Sequence, residues 1–164
     1  LVLYMWTISQ WREIQRVFQY HGAEHKSIFT LEAGAELTVA AARGFGRLHP
    51  RCGTSFMLIV VLFAIAVFAC VDSLFVVVFG HTQSLFERFA THFSLLPFIA
   101  GISFELLKIS GKKRNHPLTR VLIAPGLWLQ RITTREPDDD QLEVALVALR
   151  CVLGEEAKPV QVID

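Results

Sequence analysis

Apolar and polar positions are segregated along this chain rather than mixed. Residues 56–71 are unbroken apolar sequence apart from small residues, and residues 74–79 extend the run past Asp72 and Ser73. About 20 apolar residues cross a bilayer, so this stretch predicts a spanning helix with length left over for tilt. A second run, residues 93–109, is shorter and contains Pro97, Gly101 and Glu105. By itself it is a marginal span. Joined to the first by a short turn around residues 80–84, it reads as the return arm of a helical hairpin.

The flanks follow different patterns. Residues 1–8 are apolar and read as the end of a membrane helix already under way, so the chain reads as starting inside a longer protein. Residues 121–132 are apolar but interrupted by Pro125-Gly126, and they carry Trp128. A run of that length is too short to span, which predicts a helix lying in the interface. Residues 133–140 are polar, and Asp138, Asp139 and Asp140 suit a helix start. Leu142, Ala145, Leu146, Leu149 and Val152 then recur at helical spacing, with Glu143 and Arg150 elsewhere on the wheel. This is an amphipathic helix whose apolar stripe needs a partner surface, and residues 141–153 are the candidate docking segment for a protein partner. Only the tail after Gly154 reads as disordered, and no internal repeat is present.

The pattern therefore divides the chain into the end of a preceding membrane helix (1–11), a polar segment (12–53), a transmembrane hairpin (54–110), interfacial and amphipathic helices (111–153) and a tail (154–164). The predicted fold class is an all-α integral membrane protein. A hydrophobic content of 52% and a mean hydropathy of +0.43 exclude an ordinary soluble domain. The net charge of +1 argues against a nucleic-acid partner, which needs a concentrated basic surface. Membrane lipid is the expected environment.

Charge placement sets an orientation. Arg43, Arg47 and Arg51 precede the hairpin, and Lys108, Lys112, Lys113 and Arg114 follow it, whereas the turn region carries only Arg88 beside Glu87. By the positive-inside rule both outer ends face the cytoplasm, which places residues 12–53 on that side. Cys52, Cys70 and Cys151 form no disulfide framework, and free thiols suit a reducing compartment.

The candidate chemistry lies in the polar segment. In His21-Gly22-Ala23-Glu24-His25 the two histidines are four residues apart, hence on one helical face. Both imidazoles can then reach one divalent metal ion, and Glu24 stands beside them as a general base for hydrolysis. The spacing is that of the inverted zinc-protease motif H-x-x-E-H. Histidines four apart also arise by chance, and a purely structural role carries equal weight. His49-Pro50-Arg51-Cys52 adds a further nitrogen and a soft thiolate; zinc accepts both. Alternatively Pro50 shapes a turn, Arg51 meets lipid phosphate and Cys52 packs as a small apolar residue.

Glu105, an ionisable residue within a span, is a functional candidate by its cost; the alternative is an ion pair with Lys108 on the next turn. Asp72, His81, His92 and His116 are weaker candidates. Residues 135–140 read as a solvated helix cap in preference to a metal or partner site.

Four motifs carry a family resemblance: residues 20–26 (YHGAEHK), 48–56 (LHPRCGTSF), 124–130 (APGLWLQ) and 133–139 (TTREPDD). In this order they resemble the DUF1385 family of bacterial membrane proteins, over about residues 16–153. The resemblance implies a multi-pass protein of the bacterial plasma membrane with metal chemistry; the residues themselves give His21, His25, His49 and Cys52 as the candidate metal ligands and Glu24 and Glu105 as the candidate catalytic carboxylates. The family's amino-terminal Gly-Gly-Gln-Ala-type motif is absent from this chain. Two other readings stand beside the hydrolase: a structural metal site, and a scaffold subunit without metal.

Overall fold

The computed structural model describes residues 2–112 and 117–154. Lys113, Arg114, His116 and the tail after Gly154 lie outside the described residues. Seven helices follow one another: α1 (Val2–Ile8), α2 (Arg12–Glu32), α3 (Val39–Arg43), α4 (Gly53–Phe79), α5 (Leu85–Lys112), α6 (Pro117–Thr133) and α7 (Asp139–Val152). The described residues contain no strand. They divide into two compact units: one holds residues up to His49 and from Leu127 onward, and the other runs from Pro50 to Gly126.

The second unit is the hairpin. Helices α4 and α5 are long and apolar enough to cross a membrane, with window hydropathies of 2.8 and 1.4. Only 11% and 17% of those windows are buried within the chain. The core helix of a soluble protein is mostly buried, so these apolar surfaces face outward instead. Gly80 ends α4 in the left-handed conformation at φ 75°, which glycine adopts without strain.

Helix α5 begins earlier than the hydrophobic run suggests. The Ser84 amide and hydroxyl both donate to the Glu87 carboxylate, at 2.8 and 2.7 Å, and this cap starts the helix at Leu85. Arg88 and His92 therefore stand on a helix, not in a loop. His92 Nε2 lies 2.9 Å from Asp72 Oδ1, and Arg88 reaches the other oxygen of Asp72 at 3.4 Å. The His92 ring stacks on Phe68. Polar groups that satisfy one another in this way can occupy apolar helices. Glu105 is exposed and pairs with Lys108 at 3.4 Å.

Helix α6 also differs from expectation, because it continues through Pro125. A mid-helix proline removes one backbone bond and crowds the preceding turn. Burial of apolar side chains on both sides, Ile123 and Leu129, offsets that cost. Gly126 lets α6 approach α4 closely, since a Cβ there would lie 2.6 Å from that of Ser55.

The first unit is built on α2. Its core is Ala23, Ala42, Leu142 and Leu146, drawn from α2, α3 and α7. The two alanines let the backbones come close, and the α7 stripe fills the space between them. Leu142 and Leu146 thus spend their apolar surface inside the chain, while Val144 and Val152 remain exposed. Asp138 caps α7 in a reciprocal box with Gln141, as the acidic start of that segment anticipates. Arg43 grips Asp139 with two donors across α3 and α7. The hydrogen bond from Arg43, then its charge, holds the Asp139 carboxyl below its ordinary range.

Candidate metal centre

Helix α2 carries a buried polar ridge. The helix is 21 residues long, and its inner face holds His25, Lys26, Ser27 and Thr30. Ser27 and Thr30 satisfy their hydroxyls locally, donating to the carbonyls four residues earlier. The histidines bond elsewhere. His21 Nδ1 lies 2.8 Å from the carbonyl oxygen of Thr133, and His25 Nδ1 lies 2.5 Å from that of Arg47.

A carbonyl oxygen can only accept, so each Nδ1 carries the proton. In the neutral imidazole this tautomer leaves the lone pair on Nε2. Metal-ligating histidines are held in this way: the outward N–H is anchored to a backbone carbonyl or carboxylate, and the other nitrogen is made more basic. The rings lie edge to face with centroids 4.4 Å apart. A ring nitrogen of each lies within 4.8 Å of one on the other.

A third imidazole completes the group. The His49 ring centroid is 5.7 Å from that of His25, and the Phe29 ring packs against it at 4.5 Å. Gln130, fully buried on α6, clamps the His49 peptide from both sides. It accepts from the His49 amide at 2.7 Å and donates to the His49 carbonyl at 2.7 Å. His49 Nε2 then lies 3.3 Å from Glu32 Oε1. His25 and His49 are nearly inaccessible, at 4% and 5% exposure. Imidazole nitrogens are ligands that zinc and neighbouring transition metals accept.

Gly22 sets how closely the surrounding chain can approach. A Cβ at Gly22 would lie 2.1 Å from the Arg135 carbonyl oxygen, so the segment after α6 rests directly on α2. The Arg135 amide donates to the Phe18 carbonyl there, and Lys26, buried at 4% exposure, pairs with Glu136. Gly22→Ala must therefore push that segment, with the Thr133 carbonyl, away from His21. We expect it to destabilise the protein by roughly 1–3 kcal/mol, as overpacking does, and a thermal melt checks it. An unchanged melting temperature would show that the segment yields without cost.

His21, His25 and His49, three of the predicted ligands, lie in the first unit, with ring centroids 4.4 Å apart for His21–His25 and 5.7 Å apart for His25–His49. Cys52 precedes α4 in the hairpin unit; it is buried, and its sulfur lies 3.1 Å from the Thr54 hydroxyl. Glu24 is exposed and lines an apolar groove with Val144, Ala148 and Leu149 of α7. The carboxylate beside the histidines is that of Glu32, which sequence reasoning missed. It lies seven residues after His25, two helical turns along the same face. Gln130 and the carbonyls of Thr133 and Arg47 were missed as well.

Comparison with known proteins agrees with the motifs. A family profile described as "Protein of unknown function (DUF1385)" matches residues 1–155. The chain is 41% identical over 157 residues to the uncharacterized protein YqhQ of Bacillus subtilis (strain 168), across 96% of this chain and 46% of that protein. It thus spans just under half the length of the curated relative it matches. No solved structure matches. With the profile matching nearly its whole length and a relative sharing 41% identity across 96% of it, the chain belongs to the DUF1385 family.

Proposed function

We propose that this chain is the metal-binding part of an integral protein of the bacterial plasma membrane, with a hydrolytic centre at the cytoplasmic membrane surface. The observation that carries this reading is the pair of Nδ1 bonds from His21 and His25 to backbone carbonyls. Those bonds prepare two Nε2 lone pairs side by side. His21, His25 and His49 hold the ion, with zinc favoured by the donor set. When bound, it supplies Lewis acidity toward a hydrolysable bond.

Glu32 is the proton acceptor, in place of Glu24, because its carboxylate already stands within reach of His49. Phe29 and the Gln130 clamp keep His49 from turning away. Low accessibility keeps bulk water from competing with these contacts.

Metal analysis of the purified full-length protein tests the centre, and cobalt substitution tests its shell. Three protein ligands and an open position give catalysis, whereas four give a closed structural site. A thiolate-to-cobalt absorption band that disappears in Cys52→Ser would mark Cys52 as a fourth ligand and favour the structural alternative. Retention of metal in Glu32→Gln favours the catalytic one. A purified protein that holds no transition metal defeats the proposal.

The orientation rests on the arginines and lysines that flank the hairpin. In a background with Cys70 and Cys151 replaced by serine, an impermeant thiol reagent added outside the cell should label Cys at position 82 and spare Cys at position 12. The reverse pattern, or equal labelling, would overturn the orientation.

A further inference from the structure

A second polar feature of the first unit lies outside the histidine group. A cavity of about 700 Å³ is lined by Trp6, Gln10, Arg47, Arg131, Arg135 and Glu136, among others. Three guanidinium groups face one carboxylate, and that carboxylate is already shared. Glu136 pairs with the buried Lys26 and lies 3.9 Å from Arg47. Arg47 also donates to the Thr134 carbonyl and hydroxyl.

The other two arginines have no acidic partner among the described residues. Arg135 donates to the Ser9 carbonyl at 3.1 Å, and Arg131 makes no ion pair or hydrogen bond there. Positive charge gathered in a recess and left uncompensated by the protein is complemented by an anion. Several guanidinium groups lining one recess suit the tetrahedral oxygens of phosphate better than a planar carboxylate.

Size narrows the ligand further. A bare phosphate would leave most of this cavity unfilled, whereas its volume is within the range of small-molecule sites. Gln10 and Gln19 line it with amide groups, and Trp6 lends an indole face with an N–H donor. Trp6 is followed by Trp11 and preceded by Tyr4, all exposed, as aromatic side chains at a membrane–water boundary are.

We propose that this cavity binds a phosphate ester, with Arg131 and Arg135 as the phosphate-holding residues. The site stands apart from the metal. One wall connects them nonetheless: the Thr133 carbonyl holds His21, while Thr134 and Arg135 line the cavity. A bound phosphate ester would therefore steady the segment that orients the first histidine.

The test uses the full-length protein in detergent with chelator present, so that phosphate binding is read without the metal. One arm measures binding of sn-glycerol 3-phosphate by calorimetry. The other measures retention of phosphatidylglycerol against phosphatidylcholine by native mass spectrometry. Binding in the first arm identifies a soluble phosphate ester as sufficient; binding in the second alone identifies a lipid headgroup. In either case Arg131→Gln should weaken binding about tenfold, the worth of a charged hydrogen bond. Arg131→Lys should recover part of it, since lysine keeps the charge and loses the fork. Arg12→Gln, an exposed arginine outside the cavity, should bind as the wild type does. Binding of neither probe, or binding by the Arg131→Gln and Arg135→Gln proteins as tight as the wild type's, would overturn the proposal.

Discussion

Alanine at His21 or His25 is expected to reduce transition-metal content from stoichiometric to background, while alanine at exposed Glu24 leaves it unchanged. The contrast follows from the faces of α2. A ring nitrogen of each histidine lies within 4.8 Å of one on the other, and Glu24 lines the groove beside α7. Changes in the outer shell of a metal centre typically cost about 10–100-fold in affinity. Loss of a direct ligand should cost more. An ion bound only by the folded chain raises its stability, so on the proposed reading the metal-loaded protein should also melt higher than the chelated one.

That shift should vanish in His21→Ala and His25→Ala. The stability difference supplies a control, since each substitution also leaves a backbone carbonyl without its imidazole donor. His25→Asn keeps a donor near the Arg47 carbonyl but removes the ligating nitrogen. It should hold the fold better than alanine and still release the metal. Equal metal content in the wild type and in the protein lacking both histidines would end the assignment.

Aspartate at Leu146 is expected to unfold the first unit. Leu146 is fully buried against Ala23 and Ala42, and nothing cationic belongs to that cluster. Removing a buried leucine side chain costs about 2–5 kcal/mol through lost burial and the cavity left behind. A carboxylate there adds a desolvation penalty of several kcal/mol. The sum is comparable to the whole stability of a small domain, about 5–15 kcal/mol.

Leu146→Ala should lower the melting temperature and keep the metal, whereas Leu146→Asp should lose both, because α7 props the helix that carries the histidines. Val144→Asp on the exposed side of the same helix is the matched control and should be nearly silent. If Leu146→Asp melts as the wild type does, α7 does not support α2, and the core described above is incorrect.

The parts legible in the sequence are those that depend on spacing along one chain. Run length identified α4 as a spanning candidate, because membrane-crossing capacity is set by the number of consecutive apolar residues. Helical periodicity identified α7 and its buried stripe, and the four-residue interval placed His21 and His25 together. Where two local signals competed, the reading failed. Ser84 and Glu87 form a helix cap, yet the polar residues around them resembled a turn, so α5 was drawn too short. Pro125 is a strong breaker, and only the burial of Ile123 and Leu129 shows that the helix continues. Glu24 lies about 100° around α2 from His25, whereas Glu32 stands two turns beyond His25 along its face.

Sequence alone determined the helical class, the hairpin, the histidine pair and the family, because each is written in the order and spacing of side chains. Tertiary structure decided the rest of the centre. The groups that orient the histidines are the Thr133 and Arg47 carbonyls, which every residue possesses and no motif distinguishes. Gln130 reaches His49 from nearly half the chain away, and the His49 it clamps lies beside Glu32. Long-range contacts of this kind depend on which helices pack, and packing is a property of the whole core rather than of any one segment.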